Sequence, residues 1–143
     1  MNLDLKSDDC VEPVSRLVEK NGLLDQVFLS GCEAGRAHIV QQLNPRLRKL
    51  LNAEHLYFQT LPYSEAVKLN CEDALSAACI GINIHYSAVA PELLQSAAGH
   101  RLPVYVWTVH EETEMRRFLA AGVHSITTRN VEALVRLKRE TVV

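Results

Sequence analysis

A chain of 143 residues, 48% hydrophobic and 22% charged, is long enough for one domain with a sizeable core and too apolar for an extended disordered segment. Fifteen Lys and Arg against seventeen Asp and Glu leave a formal charge of -2 with no basic run that follows a phosphate backbone, which argues against nucleic acid as a partner. No stretch approaches the roughly 20 apolar residues of a membrane span, and no basic-then-apolar leader opens the chain, so a cytoplasmic location is expected.

In chain order, a short apolar run followed by a helix-period segment recurs. "NLDLK" (2–6) reads as a strand and "CVEPVSRLVEKNG" (10–22) as a helix, with Asp9 and Glu12 as a capping pair, Pro13 in the first turn and Gly22 as the stop. "QVFLS" (26–30) is the second strand, and the helix in "EAGRAHIVQQLN" (33–44) halts at Asn44 and Pro45. "RKLLN" (48–52) is the third strand. "AEHLYFQT" (53–60) reads as a polar-aromatic loop before a helix from Pro62 to about Leu75.

Three further pairs follow: "ACIGINI" before "APELLQSAAG", "LPVYVWTV" before "EETEMRRFLAAG", and "VHSITT" before "VEALVRLKRE". In the fifth helix the order of Glu111, Glu112 and Glu114, then arginines, then Gly122 suits the helix dipole and a glycine stop. Six such repeats, one about every 24 residues, predict an α/β fold of parallel βα units. Polar residues recur on one parity near strand ends, as Asp4 and Lys6 do, which favours a sheet curling toward a barrel over one covered by helices on both faces. Cys10, Cys32, Cys71 and Cys79 form no CxxC pair, so they read as buried reduced thiols and not as zinc or redox ligands.

The carboxyl ends of parallel strands carry function in βα folds. That end holds Asp4 and Lys6; Ser30, Gly31 and Cys32; Asn83, His85 and Tyr86; Trp107, Thr108 and His110; and Thr127, Thr128 and Arg129. His100, Arg101 and His124 enter strands from the opposite end and read as structural. Asp4 can ligate a hard divalent cation and Lys6 can neutralise an anionic oxygen, which suits phosphoryl chemistry; the alternative is a solvated ion pair. His85 reads either as a phosphate contact or as a hydrogen-bonded loop residue, and Trp107 either as a cavity wall or as core. Ser30 and His110 have no nucleophile elbow or orienting carboxylate around them to make a triad.

The segments "NLDLK", "VFLSGC" and "LPVYVWTVHEETEMRRFLAAGVHSITT" resemble the carboxyl-terminal two thirds or so of a glycerophosphodiester phosphodiesterase domain. That family's (β/α)8 barrel cleaves glycerophosphodiesters with a divalent cation, Mg or Ca. The resemblance implies an incomplete TIM-like (β/α) barrel of about six units over residues 1–143. It makes Asp4 the metal ligand, Lys6 and His85 catalytic, and Trp107 and Arg129 substrate-binding, with a glycerophosphodiester-like small molecule as partner.

The same resemblance marks departures: Asp4 stands for the usual glutamate, His124 and Arg129 for aspartates, and His110 for an asparagine. The family's strand-one His-Arg motif, strand-two Glu and Asp ligands and second catalytic His have no counterpart in the sequence. The expectations are therefore family membership without autonomous hydrolysis, and upstream coding DNA that holds the missing strands. Two other readings stay open: a non-catalytic domain that assembles with itself or another chain, and a phosphate-binding βα domain.

Overall fold

The structure, a computed structural model, describes residues 1–142. Six short parallel strands alternate with helices: β1 (Asn2–Asp4), α1 (Val11–Lys20), β2 (Phe28–Ser30), α2 (Ala34–Leu43), β3 (Leu50–Asn52), α3 (His55–Thr60), α4 (Tyr63–Ser76), β4 (Gly81–His85), α5 (Pro91–Gly99), β5 (Val104–Trp107), α6 (Glu112–Ala121), β6 (Ser125–Ile126) and α7 (Val131–Thr141). The strands pair in sequence order as β1-β2 and β3-β4-β5-β6. A parallel bridge between Leu29 and Lys49, with the Leu29 N–H donating to the Arg48 carbonyl at 2.9 Å, joins the two sets.

The sheet curls. Phe28 on β2 and Tyr105 on β5 are three strand positions apart, which in a flat sheet is about 14 Å at 4.8 Å per strand. Their ring centroids are 5.8 Å apart. Gly81 makes room for this floor, since a Cβ there would sit 3.1 Å from Tyr105 Cε1 and 2.5 Å from the Pro103 carbonyl oxygen. The expected incomplete TIM-like barrel is the observed architecture, open between β1 and β6 among the described residues.

Helices cover the convex face, and each except α3 buries residues of one stripe. In α1, Val11, Ser15 and Val18 are buried; in α4, Ala66, Val67, Asn70, Cys71 and Ala74; in α6, Met115 and Phe118; in α7, Ala133 and Leu137. These pack on Leu29, Leu51, Ile82, Ile84, Val104 and Val106, the outward parity of the strands. Asn44 Nδ2 donates to Ser15 Oγ at 2.8 Å and ties the end of α2 to α1. Gly122 adopts φ 77° at the end of α6, as its position predicted.

Two local expectations are corrected. The Asp9–Glu12 capping pair is absent: a 3₁₀ turn over Asp8–Cys10 leads straight into α1, whose N-cap is Cys10 without a side-chain cap bond. The turn already supplies the first helical φ and ψ, so Asp9 lies inside it. The 53–60 segment is also more than a loop. It contains helix α3, whose Leu56 N–H donates to the Glu54 carboxylate at 3.1 Å. No helix of the described residues is long and apolar enough to cross a membrane.

Candidate functional site

The carboxyl ends of the strands open into a polar cavity of about 460 Å³ on the concave face. All six strands and their following loops reach it: Asp4 and Lys6, Ser30 and Gly31, Asn52, Asn83, Trp107 and Thr108, and Thr127. Alternation puts these side chains inward and the aliphatic ones outward.

Asp4 and Lys6 form a direct ion pair, with Lys6 Nζ on Asp4 Oδ2. The lysine side chain is 81% exposed and the aspartate 47%, so the pair adds little to stability and is free to exchange for a ligand. Ser30 Oγ donates to the other Asp4 oxygen at 3.3 Å. Beside it the Asn52 side-chain oxygen accepts from the Gly31 N–H at 3.1 Å and from Asn83 Nδ2 at 3.0 Å. This chain of hydrogen bonds links β1, β2, β3 and β4 across the rim of the cavity.

Sequence reasoning missed Arg36. Its guanidinium, 21% exposed, lines the cavity from the first turn of α2. Nη1 donates to the Gly31 carbonyl at 2.6 Å and to the Leu5 carbonyl at 3.4 Å, and Nε donates to Asp8 Oδ1 at 2.7 Å. One fork thus holds the loops after β1 and β2. A single arginine inside "EAGRAH" carries no sequence signal for this, because two of its partners are backbone carbonyls and the third, Asp8, is 28 residues away. Replacing Arg36 by Ala should cost about 1.5–3 kcal/mol in urea unfolding, and Lys should not restore it, since an ammonium cannot reproduce the fork.

Of the predicted site residues, the structure brings Asp4, Lys6 and Trp107 together at this cavity. His85 faces an adjoining cavity of about 420 Å³, on the other side of Trp107. Its Nδ1 accepts from the Ser87 N–H at 3.3 Å and contacts Ser87 Oγ at 2.7 Å, and its ring meets Trp107 in a T-shape at 5.1 Å. Arg129 is exposed and outside the cavity lining, because the chain has turned toward α7 by that point. His124 packs on Tyr105 at 4.9 Å at the opposite end of the sheet, as expected.

A divalent cation needs several hard ligands. Among the described residues no group of three His, Cys, Asp or Glu side chains can hold a metal ion. The residues present therefore do not make a self-contained metal centre, and Asp4 offers a single carboxylate.

The model of the glycerophosphoryl diester phosphodiesterase family matches residues 3–133. The chain belongs to this family. Solved structures agree on the fold. A glycerophosphoryl diester phosphodiesterase from Silicibacter pomeroyi superposes with a TM-score of 0.81 at 20% identity, covering 99% of this chain and 50% of that one. A glycerophosphodiester phosphodiesterase from Parabacteroides distasonis gives 0.78 at 16% identity, covering 99% and 57%. An Oleispira antarctica phosphodiesterase, solved in complex with the product sn-glycerol-3-phosphate, gives 0.68 at 16% identity, covering 99% and 54%. The chain thus spans about half the length of these relatives. A search of curated protein sequences found no match. Within the glycerophosphoryl diester phosphodiesterase fold, the polar cavity lies at the end of the sheet where parallel βα barrels carry their sites.

Proposed function

We propose that the polar cavity binds the phosphate of a glycerophosphodiester, or of its glycerol phosphate product, through Lys6, with Trp107 as a wall. The observation that carries this reading is the convergence of the Asp4–Lys6 pair and the Ser30, Asn52, Asn83 and Thr127 side chains on one cavity in a chain of this family. An incoming phosphate competes with Asp4 for the Lys6 ammonium. The freed Asp4 carboxylate and Glu33 are the two carboxylates in the cavity lining, too few for a self-contained divalent-cation site.

Cleavage of a phosphodiester needs a proton donor for the leaving alcohol. The lining of the polar cavity includes no histidine among the described residues. The 143 residues alone are accordingly proposed to bind without turning over, as a cytoplasmic domain. A second reading, assembly with further strands from the same or another chain, is favoured by the outer edges of β1 and β6, which pair with no other strand among the described residues.

Titration with sn-glycerol 3-phosphate tests the first reading, with the expectation of binding that Lys6→Ala weakens about tenfold, equivalent to about 1.4 kcal/mol. Binding unaffected by Lys6→Ala would move the phosphate elsewhere. Hydrolysis of glycerophosphocholine by this chain, lost with chelator and with Asp4→Ala, would overturn the claim that it binds without turnover. A monomer that stays dilute and compact in sedimentation counts against assembly.

A further inference from the structure

Helix α5 packs against α4 and α6 against α7, while α5 and α6 stand apart on the convex face. Their facing positions are small, Ala98 on α5 and Ala121 on α6, with Gly122 beyond it. The space left between them is a groove of two cavities, about 400 and 240 Å³, that meet at Leu94 and Ala121. Leu102, Val104 and Phe118 are its buried floor, and no Asp or Glu lines it among the described residues. Its cations sit at the two ends. Arg117 is already engaged, since its guanidinium meets Glu114 at 3.3 Å and lies over the Phe118 ring at 4.5 Å. Arg101 is exposed and forms no ion pair among the described residues. Its side chain is not needed to cap α5 either, because the Ser96, Ala97 and Ala98 carbonyls accept from the backbone N–H groups of His100, Leu102 and Arg101. Arg101 also takes φ 58° just past the helix, where glycine is the low-cost residue. Local structure does not call for an arginine there, yet one stands at the groove's mouth beside His124.

We propose that the groove between α5 and α6 binds a linear alkyl carboxylate of the fatty-acid type, with its carboxylate on Arg101 and its chain lying past Leu94 toward Phe118. An apolar trough with one unpaired cation at its end is complementary to a single anionic group on an apolar tail. A carboxylate accepts two parallel N–H bonds from the guanidinium fork, and its one charge balances the one unpaired arginine. The chain displaces water from Leu94, Leu102 and Phe118. From Pro91 to Ala98, α5 offers about 10 Å of wall at 1.5 Å per residue, which suits a chain of medium length. The groove shares no lining residue with the polar cavity, so this proposal stands independently of the phosphate reading.

The full chain would be titrated calorimetrically with hexanoate, octanoate and decanoate below micelle-forming concentrations, and with 1-octanol. Affinity is expected to rise about two- to threefold per methylene, less than the roughly fourfold of complete burial because the groove is open. Octanoate should bind about tenfold more tightly than 1-octanol. Arg101→Gly should remove that tenfold advantage and at the same time raise the urea midpoint, since glycine suits φ 58°; loss of binding through misfolding would lower the midpoint instead. Ala121→Phe, at an exposed position, should flatten the dependence on chain length. Octanoate bound no better than 1-octanol, or bound equally by Arg101→Gly, would overturn the proposal, as would absence of binding at every chain length. Trp107 is the only tryptophan, so quenching by octanoate that survives Ala121→Phe would put the chain beside the indole and not in the groove. A dimer in sedimentation that Ala121→Phe dissociates and octanoate does not would assign the groove to a second copy, which also overturns the proposal.

Discussion

Gly31→Ala is expected to destabilise the protein by about 3 kcal/mol and to abolish ligand binding, while Gly35→Ala, four residues further on, is neutral or slightly stabilising. Gly31 has φ 72°, a conformation that costs an L-residue roughly 1–2 kcal/mol. Space adds the rest. A Cβ there would collide with the Leu5 carbonyl oxygen and lie 2.6 Å from Asp4 Oδ1. The carbonyl is backbone that Arg36 also grips, so it cannot give way cheaply. Because the collision falls on the residues that present Asp4 and Lys6, folding and binding should be damaged together. Gly35 lies in α2 with nothing within 4 Å of the corresponding position, where alanine merely improves helix propensity. Urea unfolding of both variants checks the contrast, and equal losses would refute the steric argument.

The second large effect should appear in alkaline solution. Burial pushes the Cys32 thiol up to about 12 and the Cys79 thiol up to about 11, and raises Cys71 as well. In the unfolded chain these thiols lose their protons near pH 9, so above that pH the unfolded state binds fewer protons and stability falls until the folded values are reached. Each thiol contributes at most about 1.4 kcal/mol per pH unit in that window.

Lys49 acts with the opposite sign. It is fully buried, with Nζ donating to Gln41 Oε1 at 2.7 Å and to the Ala78 carbonyl at 3.4 Å, and desolvation lowers its proton affinity. Between its lowered folded value and its ordinary value of 10.5 the unfolded state holds more protons, so this group makes stability rise with pH. It offsets part of the thiol effect until that ordinary value is passed. Wild type should therefore lose on the order of 2 kcal/mol between pH 9 and 10.5. A Cys32→Ala, Cys79→Ala double variant should lose much less, and Lys49→Met should lose more while being no less stable at pH 7. Urea midpoints against pH decide it; a flat wild-type profile would sink the account.

Most of the architecture was legible because the repeat is local. Alternation in "NLDLK" and "PVYVW" and the 3.6-residue stripes of α1, α6 and α7 are properties of adjacent residues, and they gave the right elements and the right inward parity for Asp4 and Trp107. Helix α3 was hidden because its six residues, polar and aromatic apart from an exposed Leu56, have no buried stripe of their own, and it is held by tertiary contacts such as Tyr57 Oη to Asp73 at 3.3 Å. The site was legible only in part. Placement at a strand's carboxyl end was enough for Asp4, Lys6 and Trp107. It failed for Arg129, because the chain turns away after β6, and it could not tell on which side of Trp107 the His85 ring would fall. Arg36 was invisible because its partners are two backbone carbonyls and the sequence-distant Asp8 carboxylate.

The unbroken strand order has a kinetic meaning. Register partners such as Leu3 and Leu29, Asn52 and Asn83, Ile84 and Val106, and Val106 and Ile126 are separated by 26, 31, 22 and 20 residues. Each strand after the first docks on the one just made, so none has to wait for a sequence-distant mate. Loop closure then costs about the same at every step, and a ribosome releasing the chain from its amino end delivers the strands in the order in which they pair. Growth of the sheet can keep pace with synthesis, leaving at each moment one newly exposed edge and not several.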